Sequence, residues 1–482
     1  IDRGIVALTR MDLVDADTAE IAQLDVSEHL AGLSLEGWPI FPVAAPTGLG
    51  IDALKTALAD AVTETTATTS GRPRLWVDRT FTISGAGTVV TGTLLGGELT
   101  SGSEVVSLPG GDRWRIRQVQ SHEADREVAE PGTRVALNLA GADRDALQRG
   151  TLLGLPGHWR ETERFVASVR SVRSHPEPPA DRGAYRIHIG SGSQPARLRM
   201  LRDDIALVTP AHPVPVTAGD RLIIRDVGRR AVIAGGAVLD PRPGPGPIDD
   251  VYLNTLTEAD SASDVAAAFL TRRRVASRDE LMADAGATPD SAIEAGDWLV
   301  DPQTAAALTD ELHESVASFH ADNPRRAGLP AATAASSLSI DPGILTALVD
   351  RDERMVLENG SIRLGTHADP WDADAEATWS RVAAELRASL AVPRASSLNI
   401  DPELLRLVIR SGRAVEIDAD VVFLPEQLEE IEAAARELAV SGFTVSQLRD
   451  HLGVSRRHAV PIVEWLDATG VTRRSGDTRV LR

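Results

Sequence analysis

Phe443-Thr-Val-Ser-Gln-Leu-Arg-Asp-His-Leu-Gly-Val-Ser-Arg-Arg-His-Ala-Val-Pro-Ile-Val-Glu-Trp-Leu-Asp-Ala-Thr-Gly-Val-Thr-Arg-Arg-Ser-Gly-Asp-Thr-Arg-Val-Leu-Arg482 closes the chain. It reads as a helix, a turn, a second helix and an arginine-rich hairpin. Thr444 opens the first helix, Gly453 makes the turn, and Ser455 suits the N-cap of a second helix reaching Leu466. Arg456 and Arg457 then stand at a helix N-terminus, where backbone N–H groups also meet phosphate. Arg473, Arg474 and Arg479 lie in the hairpin beside that start. The pattern predicts a winged helix-turn-helix. From Ser441 to Arg482 there are seven Arg against four Asp or Glu, so this end is basic in a chain of net charge −20. Local charge, not the total, sets phosphate contacts. Leu448, Leu452, Val460, Val463, Trp465 and Leu466 supply a core, and residues 427–482 are expected to fold on it without the rest of the chain.

The same unit recurs upstream. Ala335-Ser-Ser-Leu-Ser-Ile-Asp-Pro342 returns as Ala395-Ser-Ser-Leu-Asn-Ile-Asp-Pro402. Each copy is followed by an apolar helix and two β-like runs, and Asn359-Gly360 is a strong two-residue hairpin turn. Helix, helix and hairpin at a fixed period indicate an internal repeat. A weaker copy spans 249–309. Four winged helices are expected, at 244–310, 311–368, 369–425 and 426–482.

Before the Pro/Gly linker Pro241–Pro247, short alternating strands are broken by glycine. Leu75–Phe81, Gly87–Leu94, Glu104–Leu108, Trp114–Gln120 and Arg134–Leu139 predict one small antiparallel barrel over 71–156. Phe165–Val169, Tyr185–Gly190, Asp204–Val208, Asp220–Asp226 and Ile233–Asp240 predict a second over 157–243. Residues 1–70 differ. Gly4–Leu8 and Pro39–Val43 are apolar runs, and helical patterns follow at 16–30 and 52–62. Alternating strands and helices mean an α/β fragment.

The chain has 482 residues, 43% hydrophobic and 25% charged, as in an ordinary multidomain protein. It has no cysteine, which excludes disulfides and thiolate chemistry. No apolar run is long enough to cross a membrane, so a cytoplasmic protein is expected; a monomer is expected as well. Lys55 is the sole lysine and lies outside any Gly-x4-Gly-Lys-[Ser/Thr] loop. The chain starts at Ile1, inside a pattern, and is expected to be a fragment without its phosphate-binding half.

Val77-Asp-Arg-Thr-Phe-Thr-Ile, Gly85-Ala-Gly-Thr-Val-Val-Thr-Gly-Thr, Pro131-Gly-Thr-Arg-Val-Ala-Leu-Asn-Leu and Gly219-Asp-Arg-Leu-Ile-Ile-Arg resemble domains 2 and 3 of elongation factor Tu-like GTPases. With Val454-Ser-Arg-Arg-His-Ala-Val-Pro-Ile-Val-Glu-Trp-Leu-Asp, the resemblance narrows to the bacterial selenocysteine-specific elongation factors. It implies delivery of selenocysteinyl-tRNA to the ribosome at UGA codons marked by an mRNA hairpin. It implies GTP with Mg²⁺ in the complete protein, not retained by residues 1–482. Thr9 and Asp12 match two positions of the guanine-reading Asn/Thr-Lys-x-Asp motif, with Arg10 where lysine is usual. Ala44-Ala45 match the later Ser-Ala loop, with its serine replaced. Asp78, Arg79 and Arg134 match the pocket for selenocysteine, whose low-pKa selenol is an anion that a cationic site favours over neutral serine. Ser455, Arg456, Arg457, Arg473, Arg474 and Arg479 are the residues expected to meet the mRNA hairpin. Another translational GTPase, or a winged-helix nucleic-acid-binding regulator without enzymatic activity, are the other readings open to the residues.

Overall fold

The computed structural model describes residues 4–33, 35–64, 69–85, 87–244, 246–324, 326–367, 371 and 373–482. Ala86 of the Gly-rich motif, Pro245 of the linker and the expected boundary at 368/369 lie outside the described residues. The chain forms two compact units, residues 1–269 with 279–289, and residues 270–278 with 290–482.

In the first unit Val6–Leu8 and Ile40–Pro42 pair in parallel, with Val6 beside Ile40. The helices fall where the periodicity puts them, at Ala16–Leu30 and Ile51–Glu64. Asp15 caps the first, its carboxylate accepting from the Thr18 N–H at 2.9 Å. Ile21 and Leu24 of that helix stay largely exposed.

Both barrels form. In the first, the sheet runs Arg134–Ala140, Gly87–Leu95, Arg74–Ile83, Leu152–Gly154, Glu104–Leu108, Arg113–Ser121, and closes by pairing the last strand with the first. Leu75, Val77, Val90, Leu94, Ile116, Val119, Leu137 and Leu139 fill it. Gly92 explains part of the Gly-rich motif. A Cβ there would lie 2.3 Å from the Trp76 carbonyl oxygen on the facing strand. The second barrel runs Phe165–Ser168, Ile205–Pro210, Gly192–Arg202, Tyr185–Ile189, Arg221–Asp226, Ala231–Asp240, and closes in the same way. Two of these barrel-forming strands were not expected from the sequence. Leu152–Gly154 is very short, and Gly192–Arg202 carries Pro195 and alternates arginine with Ala196, Leu198 and Met200.

The barrels share a core. Trp76 of the first packs with Phe165, Ile187 and Leu222 of the second. Gly190 leaves the notch for it, since a Cβ at 190 would sit 2.2 Å from the Trp76 ring. The helix Asp250–Glu258, capped by Asp249, lays Leu253 against Val166 and Ile205.

The C-terminal residues repeat a pattern of helices closed by a hairpin. Pro302–Asp322, Ala331–Leu338 and Pro342–Asp350 precede the hairpin Met355–Glu358/Ser361–Leu364. Asn359 and Gly360 both take φ > 0, at 49° and 74°, as the expected tight turn demands. Ala373–Arg387 and Pro402–Arg410 precede Val415–Asp418/Val421–Phe423. In both copies of the repeated segment Asp is the N-cap and Pro takes the first turn, at Asp341-Pro342 and Asp401-Pro402. The copies differ before that point. Ala331–Leu338 is a helix, whereas Ala395–Ser397 is a single 3-10 turn.

The final segment contains Pro425–Ala439, Val445–Leu452, Arg456–Ala468 and the hairpin Thr472–Ser475/Thr478–Leu481. Its core is not its own. Leu428, Ile431, Leu448, Ile462, Val463 and Leu466 join one cluster with Trp379, Leu386, Leu398 and Phe423 of the preceding segment. Buried Gln427 donates to the Leu386 carbonyl at 2.7 Å. The expectation that 427–482 stands on a private core is therefore amended. Leu448, Val463 and Leu466 are buried as expected, and Leu452 and Trp465 pack against the cluster. Val460 is only half-buried, and Ala459 and Ile462 take the inner face.

Among the described residues no single helix is long and apolar enough to cross a membrane. The bent pair Ala331–Leu338 and Pro342–Asp350 matches by length and composition only, and it buries Ala334, Ala335, Leu345 and Val349 in a core with Leu312 and Ile362.

His320, buried near the end of Pro302–Asp322, stacks on His367 with ring centroids 3.6 Å apart. Its Nε2 accepts from the Leu364 N–H at 3.3 Å. Burial, then the neighbouring His367 and Arg363, push its pKa below the ordinary histidine value of 6.5. The folded state holds this ring neutral, so the unfolded state binds more protons in acid. The stabilisation is complete above pH 6.5 and is lost as pH falls below it. Thermal midpoints at pH 7.5 and 5.5 should therefore differ less in His320→Phe than in the parent. An unchanged difference would show that the pair does not carry the dependence.

Candidate ligand sites

The strand ends of the α/β fragment lie side by side. The Val43 N–H donates to the Leu8 carbonyl at 2.9 Å, and the Met11 N–H to the Val43 carbonyl at 3.3 Å. Between them Arg10 takes φ 63°, and Met11–Leu13 forms one 3-10 turn. Thr9 and Asp12 are exposed there. Ala44 is buried, with its N–H donating to the Leu49 carbonyl at 2.9 Å, and Ala45 is exposed. All four residues thus sit at the carboxyl ends of two neighbouring parallel strands, where open α/β sheets bind ligands.

The first barrel carries a charged cluster. The strand Arg74–Ile83 is irregular between Val77 and Arg79 in its pairing with Gly87–Leu95. Asp78 lies in that bulge, and bulges re-aim side chains. Its Oδ1 accepts from the Thr91 hydroxyl at 2.6 Å and from Arg134 at 3.0 Å. Its Oδ2 lies 2.9 Å from the other terminal nitrogen of Arg134, so the guanidinium is held at two points. Arg134 also donates to Thr91 Oγ1 at 3.2 Å. Arg134 remains 55% exposed, so the pair contributes only about 0–1 kcal/mol to stability. Its effect is to fix where a positive charge faces solvent. Arg79 is exposed, next to Asp78, with its Cα opposite Thr91. Thr91 was absent from the residues expected from sequence. Nothing in the run Gly-Thr-Val-Val-Thr-Gly-Thr tells the fixing threonine from its neighbours before the bulge is known.

The basic end of the chain divides in two. Arg456, Arg473 and Arg474 are exposed. Arg474 also donates from Nε to the Gly476 carbonyl at 3.1 Å. Arg457 instead donates to the Val392 carbonyl at 2.7 Å, as a neighbour of buried His458, whose Nε2 lies 2.8 Å from the same oxygen. Burial is the main cause that lowers the His458 pKa, with Arg457 adding to it. The Arg479 side chain is 11% exposed and donates to Asp467 at 3.2 Å. Ser455 is the N-cap residue, but its hydroxyl makes no cap bond and meets His458 Nδ1 at 3.1 Å. The imidazole three residues on occupies the Ser455 hydroxyl, and the His458 backbone N–H goes to the Ser455 carbonyl at 3.0 Å instead.

Residues 438–481 match the family model for the winged helix of elongation factor SelB. Residues 169–245 match that for the beta-barrel domain of selenocysteine-specific elongation factor, and residues 87–154 match elongation factor Tu domain 2. The selenocysteine-specific elongation factor of Desulfomicrobium baculatum is 28% identical, over 100% of this chain and 83% of that protein. That of Escherichia coli is 27% identical, over 99% of this chain and 81% of that protein. A crystal structure of a bacterial selenocysteine-specific elongation factor matches with a TM-score of 0.72 at 23% identity, covering 100% of this chain and 81% of that one, a likeness of fold. With relatives of one name aligned from end to end, and both the second barrel and the last winged helix matched by that family's own domains, the chain belongs to the selenocysteine-specific elongation factors.

Proposed function

We propose that this protein delivers selenocysteinyl-tRNA to the ribosome at UGA codons in a GTP-dependent way, guided by an mRNA hairpin held at its C-terminal end. The observation that carries the reading is the Asp78–Thr91–Arg134 cluster. It presents a guanidinium whose position is fixed and whose face is open to an anion. Arg134 attracts the selenolate, Asp78 and Thr91 hold Arg134 in place, and Arg79 adds a second positive charge beside them. A charge-assisted hydrogen bond of this kind is worth about 1.5–3 kcal/mol, or 10- to 150-fold in affinity. Arg134→Ala should weaken selenocysteinyl-tRNA binding by that range and leave seryl-tRNA binding nearly unchanged, both read by titration with labelled tRNA. Parent-like affinity for selenocysteinyl-tRNA in the variant would remove the pocket assignment.

Thr9, Asp12, Ala44 and Ala45 fit the base end of a guanine nucleotide, with the Asp12 carboxylate accepting from the ring N–H and exocyclic amine. GTP and Mg²⁺ supply the switch of this factor class. No phosphate-cradling Gly-x4-Gly-Lys sequence occurs in residues 1–482, so only the base contact is assigned here.

At the other end Arg456, Arg473 and Arg474 are the arginines that meet the mRNA hairpin. Arg457 and Arg479 shape the surface from behind, through Val392 and Asp467. Four winged helices, at 244–310, 311–368, 369–425 and 426–482, build the arm. Arginines on a helix start and a wing suit a bent RNA backbone and splayed bases. Binding of a cognate RNA hairpin should fall with salt by a log–log slope of about −0.7 per single-strand phosphate neutralised. Arg473→Ala should weaken it more than Arg436→Ala, whose side chain is paired with Glu432. Equal affinity for the hairpin, a scrambled RNA and duplex DNA would favour a regulator or a protein-interaction module instead.

A further inference from the structure

A cavity of about 340 Å³ in the first unit is lined by Ser70, Arg72, Arg74, Leu95, Gly132 and Trp159, among others, and no acidic side chain lines it. It shares no residue with the Asp78–Thr91–Arg134 cluster. At roughly 30 Å³ per water the space holds about ten waters, enough for a tetrahedral oxyanion with part of its hydration. Two guanidinium groups face the same indole. Arg72 lies 4.3 Å and Arg74 4.9 Å from the Trp159 ring centroid. Trp159 is itself fixed, donating from Nε1 to the Pro73 carbonyl at 3.0 Å.

The charges around the cavity do not balance. Arg74 has a carboxylate partner in Asp220, at 2.7 Å. Arg72 is 7% exposed, and its hydrogen bonds go to neutral carbonyls, those of His158 at 2.9 Å and Ala283 at 3.0 Å. Its Nε is buried with no hydrogen-bond partner among the described residues. Burial, followed by repulsion from Arg74, pulls its pKa down to about 10, although the Asp220 and Asp284 carboxylates, neither of them hydrogen-bonded to it, act in the opposite direction. A buried cation without a bound counter-charge is costly, and an entering anion relieves that cost.

We propose that this cavity is an anion site that takes a phosphate group, held between Arg72 and Arg74 over Trp159. The group is either a free phosphate ion or the phosphate end of a larger molecule. Inorganic phosphate and adenosine monophosphate are the two probes, titrated calorimetrically into the parent chain and two variants. Ser70→Glu brings a carboxylate to the rim from an exposed position, and Arg74→Gln removes one guanidinium. The parent should bind phosphate saturably, and each variant should weaken it at least 10-fold, within the range of a lost charge-assisted contact. Tighter binding of adenosine monophosphate than of phosphate identifies the larger molecule as the source, and equal or weaker binding identifies the free ion. No saturable heat with either probe in the parent overturns the proposal. So does binding retained in either variant while circular dichroism shows it folded. Sulfate and phosphate also stabilise proteins by exclusion from the surface. A rise in thermal midpoint with phosphate that is equal in parent and variants marks that general effect and counts against the site.

Discussion

Asp284→Ala should destabilise the first unit by about 3–5 kcal/mol, the range found when one partner of a buried ion pair is removed. Asp284, in the helix Arg278–Ala285, has no exposed surface. Arg242 clasps its Oδ1 with two nitrogens, Nε at 2.7 Å and a closer terminal nitrogen, and Arg160 approaches Oδ2 at 3.9 Å. Arg242 is only 15% exposed, so the substitution leaves a nearly buried cation without its carboxylate. The backbone of Asp284 is also engaged, its carbonyl accepting from the Thr217 hydroxyl at 2.8 Å and the Ala218 N–H at 2.8 Å. Those bonds survive substitution, so the loss reports the side chain. Denaturant unfolding followed at the barrels should show the shift, and Asp284→Asn should lose less because it still accepts a hydrogen bond. A loss under about 1 kcal/mol would mean that the site relaxes or takes in water. The Arg242→Ala, Asp284→Ala double variant should be less destabilised than the two single losses added, since neither charge is then left alone.

The second large effect concerns where the chain can be cut. A fragment of residues 427–482 should lack a cooperative unfolding transition, whereas residues 371–482 should keep one. The cut at 427 removes Trp379, Leu386, Leu398 and Phe423, all buried against the last helices. Each large apolar side chain so exposed or deprived of its partner costs about 1.5–3 kcal/mol. A domain of that size has little stability to lose. It also strips the acceptors from Gln427, Arg457 and His458, which use the carbonyls of Leu386 and Val392. Thermal circular dichroism on the two fragments decides the matter. A sigmoidal transition of the shorter fragment near the midpoint of the longer one would show that the shared core is dispensable.

Much of the architecture is legible in the residues because local signals and burial agree. Asn359-Gly360 needs φ > 0 twice, and only such a pair reaches it cheaply. Asp341-Pro342 and Asp401-Pro402 announce helix starts through one mechanism, a side-chain cap followed by a fixed φ. What escapes the sequence is partnership. Periodicity shows that Leu448 and Leu466 have an inner face, not that Phe423 and Trp379 lie across it. The charge on Arg457 and Arg479 is plain in the sequence, whereas their acceptors at Val392 and Asp467 lie on other elements. Thr91 escapes for the same reason, since its role depends on a bulge in the opposite strand. The strand Gly192–Arg202 is hidden by its proline and by outward arginines, which suit a solvent face as well as a loop.

The notch at Gly190 has a mechanical meaning. Trp76 of one barrel is seated in the other as a key in a lock, with no room for a methyl group at its seat. Sliding or rocking the barrels at this point would unseat the Trp76 ring from a packed core. A motion that leaves this seat intact carries both barrels together. Swapping Gly190 for even alanine would act less like a local repair than like a wedge driven into a coupling.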